Sequence, residues 1–122
     1  MNYLYTTLIT SNDYTMGAIG LVISSREQKI KYPFIVMVTD NVTNTYLLDE
    51  ANIQYRIFPY KELTSKEDYY FTINKLYAYE FAEYERIMFI DADIILFTSL
   101  DYLIENNELY FIAHQPRQSY HK

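Results

Sequence analysis

Cysteine and tryptophan are absent from the 122 residues, and glycine occurs only twice, at Gly17 and Gly20. Without cysteine there are no disulfides, no thiolate nucleophile and no cysteine-ligated zinc, although the compartment is left open. Two glycines cannot build a dinucleotide-binding fingerprint or a P-loop, both of which need several glycines at fixed spacing. Basic residues are also scarce: 10 Lys and Arg stand against 16 Asp and Glu, for a net charge of −6, and they form no dense cluster. General binding to nucleic acid or to an anionic membrane is disfavoured on that balance. A polyanionic ligand would need a local remedy, either a metal held by carboxylates or a well-placed lysine. Long apolar runs are missing too. The longest, Phe34 to Val38, is far below the roughly 20 residues of a membrane-spanning helix. At the N-terminus Thr6, Thr7, Thr10, Ser11, Asn12 and Asp13 break up the apolar residues, so the pattern is not that of a secretory leader, and a cytoplasmic setting is expected.

Half of the residues are hydrophobic, and a chain of this size buries about two thirds of its surface on folding, enough for one core. Residues 1–122 are therefore expected as a single domain. Fifteen tyrosines suggest no function by their number alone. Tyr3 to Thr10 is expected as a strand, followed by a turn in which Ser11, Asn12 and Asp13 offer helix N-caps. A helix is expected over Tyr14 to Ser25, with Gly17 and Gly20 permitting close approach to a sheet. The continuous apolar run Phe34 to Thr39 suits a buried parallel strand. Further along, the pattern gives a short helix (Thr45 to Ala51), a strand (Gln54 to Phe58), a helix (Ile73 to Glu83) and a strand (Arg86 to Ile90). It ends with an extended continuation (Ile94 to Phe97), a short helix (Leu100 to Asn106) and a last strand (Leu109 to Ala113). Such alternation implies an α/β fold, a mostly parallel sheet flanked by helices on both faces. Ligands of such sheets sit at the carboxyl ends of the strands. Three polar clusters fall there: Thr10 to Asp13, Thr39 to Asn41 and Asp91 to Asp93.

The sharpest feature is Asp91-Ala92-Asp93, two carboxylates interrupting the apolar sequence Ile87 to Leu96. In extended backbone, residues two apart point to the same side, so both carboxylates would converge with Ala92 turned away. Two converging carboxylates suit a hard divalent cation, Mn2+ or Mg2+, completed by substrate phosphates and water. The simpler alternative is that one of them caps the turn leaving the strand.

With these residues the chain resembles the glycogenin-like retaining glycosyltransferases of family 8, which have the Rossmann-like GT-A fold. The resemblance is carried by Thr7-Leu8-Ile9-Thr10-Ser11-Asn12-Asp13-Tyr14 with Gly17-Ala18, by the strand from Pro33 to Thr39, and by Asn74-Lys75-Leu76. It is completed by Tyr84 to Asp93, then Ile94-Ile95-Leu96 and Leu100-Asp101. It implies that Asp91 and Asp93 are metal ligands, holding manganese against the diphosphate of a UDP-sugar. It also implies that Leu8, Thr10, Asn12 and Tyr14 form the nucleoside pocket, with Tyr14 against the uracil face, that Lys75 lies near the sugar nucleotide, and that Ala92 lies against the ribose. From the residues alone, Tyr14 and Leu8 suit a core equally well, Thr10 and Asn12 suit helix caps, and Lys75 suits a solvated helix face. No side chain is assigned as general base.

Family members continue with an Asn-Ser-Gly strand, acceptor-binding loops and a histidine that completes the metal site. These are not found before Lys122, and neither His114 nor His121 is well placed to substitute. The expectation is accordingly the nucleotide-sugar-binding part of a retaining glycosyltransferase without the C-terminal acceptor half. The acceptor is undetermined among sugar, protein and lipid, and assembly as a homo-oligomer or with a partner chain is open. One alternative is a non-catalytic module that binds a UDP-sugar and metal and needs a partner. A weaker one is a phosphatase of the haloacid dehalogenase type, whose nucleophile motif Phe89 to Asp93 also fits.

Overall fold

The computed structural model describes residues 2–60 and 81–106. Four strands form one all-parallel sheet in the order β3-β2-β1-β4, with β1 at Tyr3–Ile9, β2 at Phe34–Thr39, β3 at Gln54–Phe58 and β4 at Arg86–Phe89. This is the Rossmann-like α/β arrangement expected from the sequence. Every residue of β2 is buried, because the strand is interior to the sheet and covered on both faces, and its sequence is accordingly apolar throughout rather than alternating. In β1 the register sets Tyr5 opposite Phe34 on one side, and opposite Met88 on the other. Threonine serves at Thr6 and Thr7, both fully buried, since its β-branch suits a pleated strand. The Thr6 hydroxyl donates to the Ile35 carbonyl at 2.6 Å.

Strand alternation divides the core in two. One face gathers Tyr5, Val36 and Met88 against Leu21 of helix α1 (Thr15–Glu27), Leu48 of α2 (Tyr46–Glu50) and Ile104 of α3 (Asp101–Ile104). The other gathers Leu4, Ile35, Met37 and Phe89 under Phe81, with Tyr84 packed alongside. Among the described residues the three helices pack on the first of these faces; most of the helix expected over Ile73 to Glu83 lies outside the described residues, so the expectation of helices on both faces is not tested at the second. With only two glycines available, α1 and α2 are closed by Lys29 and Asn52 in the left-handed region, at φ 56° and 58°. After α2 the Ile53 amide reaches back to the Leu48 carbonyl at 2.9 Å, the six-to-one bond of a Schellman closure.

At the amino edge of the sheet the Asp101 carboxylate, almost fully buried, accepts from the Tyr5 hydroxyl at 2.7 Å and from the Lys31 amide at 2.9 Å. Glu105, one turn further on, pairs with Lys31 Nζ at 3.0 Å and accepts from the Tyr32 hydroxyl. The bond to Glu105 pushes the Tyr32 phenol up to about 12, and the Tyr32 and Lys31 bonds hold the Glu105 carboxyl below its usual range.

Several expectations shift. The helix expected from Tyr14 begins at Thr15, and a 3-10 turn at Asn12–Tyr14 precedes it. Neither Ser11 before the turn nor Tyr14 before the helix makes a side-chain cap bond, so the expected Ser, Asn and Asp caps are not used. Ile94 to Phe97 is not extended strand but an irregular segment laid across α1. Of the helix expected over Ile73 to Glu83, Ile73 to Glu80 lies outside the described residues, while Phe81 to Glu83 is a turn closed by the Tyr84 amide on the Phe81 carbonyl. The strand expected at Leu109 to Ala113 also lies outside the described residues. No helix among the described residues is long and apolar enough to cross a membrane.

Candidate functional site

Strand order locates the site. From β1 the chain steps outward through β2 to β3, then returns to place β4 on the other side of β1. In open α/β sheets ligands bind outside the carboxyl ends of the strands where such a reversal occurs, which here points to the ends of β1 and β4. The segments that leave those two ends are Thr10 to Tyr14 and Ile90 to Asp93. They are held level by the last ladder bond, from the Ile90 amide to the Thr6 carbonyl at 2.9 Å. Counting on from the pairing of Thr6 with Phe89, Leu8 stands level with Asp91.

Beyond Ile90 the chain does not stay extended. Asp91 to Ile94 is a turn, closed by the Ile94 amide on the Asp91 carbonyl at 3.2 Å, with Ala92 and Asp93 at its corners. The expectation that extended geometry points both carboxylates to one side is therefore corrected: a turn sets their directions. Asp91 is half-buried, Ala92 buried and Asp93 exposed. Ala92 is buried because α1 lies on it; a Cβ added to Gly17 would stand 2.8 Å from the Ala92 carbonyl oxygen.

Tyr14 ends the 3-10 turn with its ring half-exposed rather than in the core, and Leu8 is half-buried beside the Leu4 and Met37 cluster. The Thr10 carbonyl accepts from the Asn41 side chain at 2.8 Å. Asn12 is exposed, and its side-chain amide is engaged at both ends by Thr43, each bond at 2.8 Å. The Thr15 hydroxyl donates to the Asn44 side chain at 2.7 Å. Asn41, which ends the second polar cluster, and Thr43 and Asn44, which the sequence did not single out, thus pin the loop after β2 to the loop after β1. Their signal was faint: a polar loop following an apolar strand, at the same sheet edge as the first cluster. Lys75 lies outside the described residues, as do His114 and His121.

Among the described residues no group of three or more His, Asp or Glu is placed to hold a metal. The chemistry of the pair Asp91 and Asp93 nonetheless fits a hard cation of the Mn2+ or Mg2+ kind, which takes one or two carboxylates from protein and completes its shell with phosphate and water. None of the five described basic residues, Arg26, Lys29, Lys31, Arg56 and Arg86, belongs to the segments that leave β1, β2 or β4.

No family model matches the chain. It is 34% identical over 118 residues to galactinol synthase 6 of Arabidopsis thaliana, a match covering 89% of this chain and 35% of that protein. Galactinol synthase 2 of Solanum lycopersicum is 32% identical with the same coverage of each chain, and galactinol synthase 1 of Ajuga reptans 30% identical, again with that coverage. The chain spans about a third of the length of the curated relatives it matches. By this similarity the chain is related to the glycogenin-like glycosyltransferases of family 8, and it matches a part of such a protein.

Proposed function

We propose that this chain is the donor-binding part of a retaining glycosyltransferase, taking a UDP-sugar together with Mn2+ or Mg2+. The observation that carries the reading is the strand-order reversal between β1 and β4, which sets the Tyr14 turn and the Asp91 to Ile94 turn at the same edge of the sheet. The names of the relatives, all synthases of one product, support transferase chemistry over the phosphatase reading and make UDP-galactose, beside UDP-glucose, the first donor to try. Tyr14 offers a half-exposed ring for the uracil face, and Leu8 and Thr10 line the floor at the end of β1. Asn12 acts through the loop it ties to Thr43. Asp91 and Asp93 would hold the cation, Ala92 leaves room for the ribose, and Lys75 adds positive charge near the diphosphate. When bound, the cation supplies Lewis-acid stabilisation of the charge that develops on the leaving phosphate. The chain's own residues would bind and orient the nucleotide.

A second reading is a module that binds the donor without turnover and needs a partner for the acceptor. The two share a pocket and differ in UDP release from UDP-galactose and UDP-glucose.

Binding to the native state adds stability as RT ln(1 + [L]/Kd), about 2.7 kcal/mol at a hundredfold excess over Kd. UDP with manganese is therefore expected to raise Tm by roughly 8–12 °C in a chain of this size, and either alone by much less. Differential scanning fluorimetry checks this. Absence of any shift at millimolar UDP and manganese would overturn the reading.

A further inference from the structure

We infer that Gly17 is a positioning residue for the Asp91 to Ile94 turn, with Ser24 as the second anchor: α1 is the surface on which the two carboxylates are set in place. For its consequence in ligand binding the inference rests on the donor-pocket reading; its structural part stands without it.

Three contacts run in order along the helix and along the segment that follows β4. The Gly17 position lies against the Ala92 backbone, Gly20 against Ile95, and the Ser24 hydroxyl, buried, accepts from the Leu96 amide at 2.9 Å. The Ser24 hydroxyl donates in turn to the Leu21 carbonyl at 2.8 Å, so its lone pair is aimed outward at Leu96. The segment thus crosses α1 in a fixed register, although no ladder holds it beyond Ile90.

The two glycines differ in what they face. A Cβ at Gly17 would stand 2.8 Å from the Ala92 oxygen, 3.5 Å from its carbonyl carbon and 3.6 Å from the Asp93 Cα, all main-chain atoms of the turn. Relief requires the turn or the helix to move, and the turn carries both carboxylates. At Gly20 the neighbour among the described residues is the Cδ1 end of Ile95, at 3.3 Å, in a half-exposed side chain that can rotate away. Neither glycine has positive φ, so conformational freedom does not require glycine at either place. Space alone distinguishes them, and alanine raises helix propensity equally at both.

Gly17→Ala and Gly20→Ala in the 122-residue chain form the test, read first by amide hydrogen exchange and NMR shifts without ligand, then by titration with UDP and manganese. Gly17→Ala is expected to shift the Ala92 and Asp93 amides, to speed exchange of the Ile94 amide at least tenfold, and to weaken manganese-dependent UDP binding at least tenfold. UDP binding without metal should stay within twofold, which a merely structural loss would not achieve. Gly20→Ala should match the parent in all four readouts. Ser24→Ala covers the case in which Gly17→Ala does not fold: it keeps the helix, frees the Leu96 amide, and should speed Ile94 and Leu96 exchange several-fold. Parent-like Ile94 and Leu96 exchange in Ser24→Ala, or parent-like Ile94 exchange in Gly17→Ala, would overturn the inference. If the parent chain binds no UDP with manganese, the donor-pocket reading fails, while the exchange data still decide the positioning claim.

Discussion

Asp91→Asn and Asp93→Asn are each expected to remove manganese-dependent UDP binding, by at least a hundredfold in Kd, equivalent to about 2.7 kcal/mol. Asparagine keeps the shape of the side chain and one oxygen, but a hard divalent cation depends on carboxylate charge. Folding should survive, since the turn is closed by the main-chain bond from Ile94 to Asp91 and by packing on Gly17, neither of which uses a carboxylate. Of the two, Asp91 is half-buried and Asp93 exposed, so any change in ligand-free Tm should be larger for Asp91→Asn. Tyr14→Ala supplies the contrast: loss of base stacking costs about 1–3 kcal/mol and should weaken UDP binding equally with and without metal. Calorimetric titration of the three variants separates the two patterns. If both asparagine variants bound UDP and manganese like the parent, the metal assignment would be wrong.

What the sequence disclosed and what it did not divide along physical lines. Phe34 to Thr39 was legible because complete burial leaves an unbroken apolar run, and Gln54 to Phe58 because an edge strand keeps its bounds between turn residues. The expected fold class and the carboxyl edge of the sheet followed from the alternation of such segments, which demands parallel strands and crossovers; the strand order that singles out β1 and β4 on that edge did not. The Asp91 to Ile94 turn was misread because Asp-Ala-Asp has the same spacing whether extended or turned; packing of Ala92 on Gly17, separated by 75 positions in the chain, favours the turn, and no local pattern records that. The N-caps failed for a similar reason. Asn12 has the chemistry of a cap, but its amide finds Thr43 across the sheet edge, a tertiary bond that outcompetes the local one. Asn41 was marked only as the end of a polar cluster, and Thr43 and Asn44 escaped notice, because their role, clamping the loops after β1 and β2, exists only once those strands are neighbours.

At the opposite edge of the sheet, Asp101→Ala is expected to destabilise the chain by about 3 kcal/mol, because it strands two donors at once. The Tyr5 hydroxyl and the Lys31 amide both point at this carboxylate, and a buried donor left unsatisfied costs about 1–3 kcal/mol. At this chain length that corresponds to a fall in Tm of roughly 10–15 °C. Tyr5→Phe should cost less, since Asp101 keeps the Lys31 amide and the ring remains packed beside Phe34. The two variants also differ in pH dependence. Burial, then the bond to Asp101, raises the Tyr5 phenol far above its ordinary value of 10.0. A phenol that stays protonated in the native state while it ionises in the unfolded one contributes stability that is complete below pH 10 and erodes as the pH rises above it. The parent should therefore lose stability between pH 10 and 11.5 faster than Tyr5→Phe, and the gap between their urea midpoints should narrow over that interval. The two chains differ in this hydroxyl alone, so their difference reports on it. Urea melts at pH 7, 9, 10 and 11 measure it. A gap that stays constant with pH would show that the Tyr5 hydroxyl is not held protonated by this carboxylate, and an Asp101→Ala chain as stable as the parent would show that the buried bonds do not form.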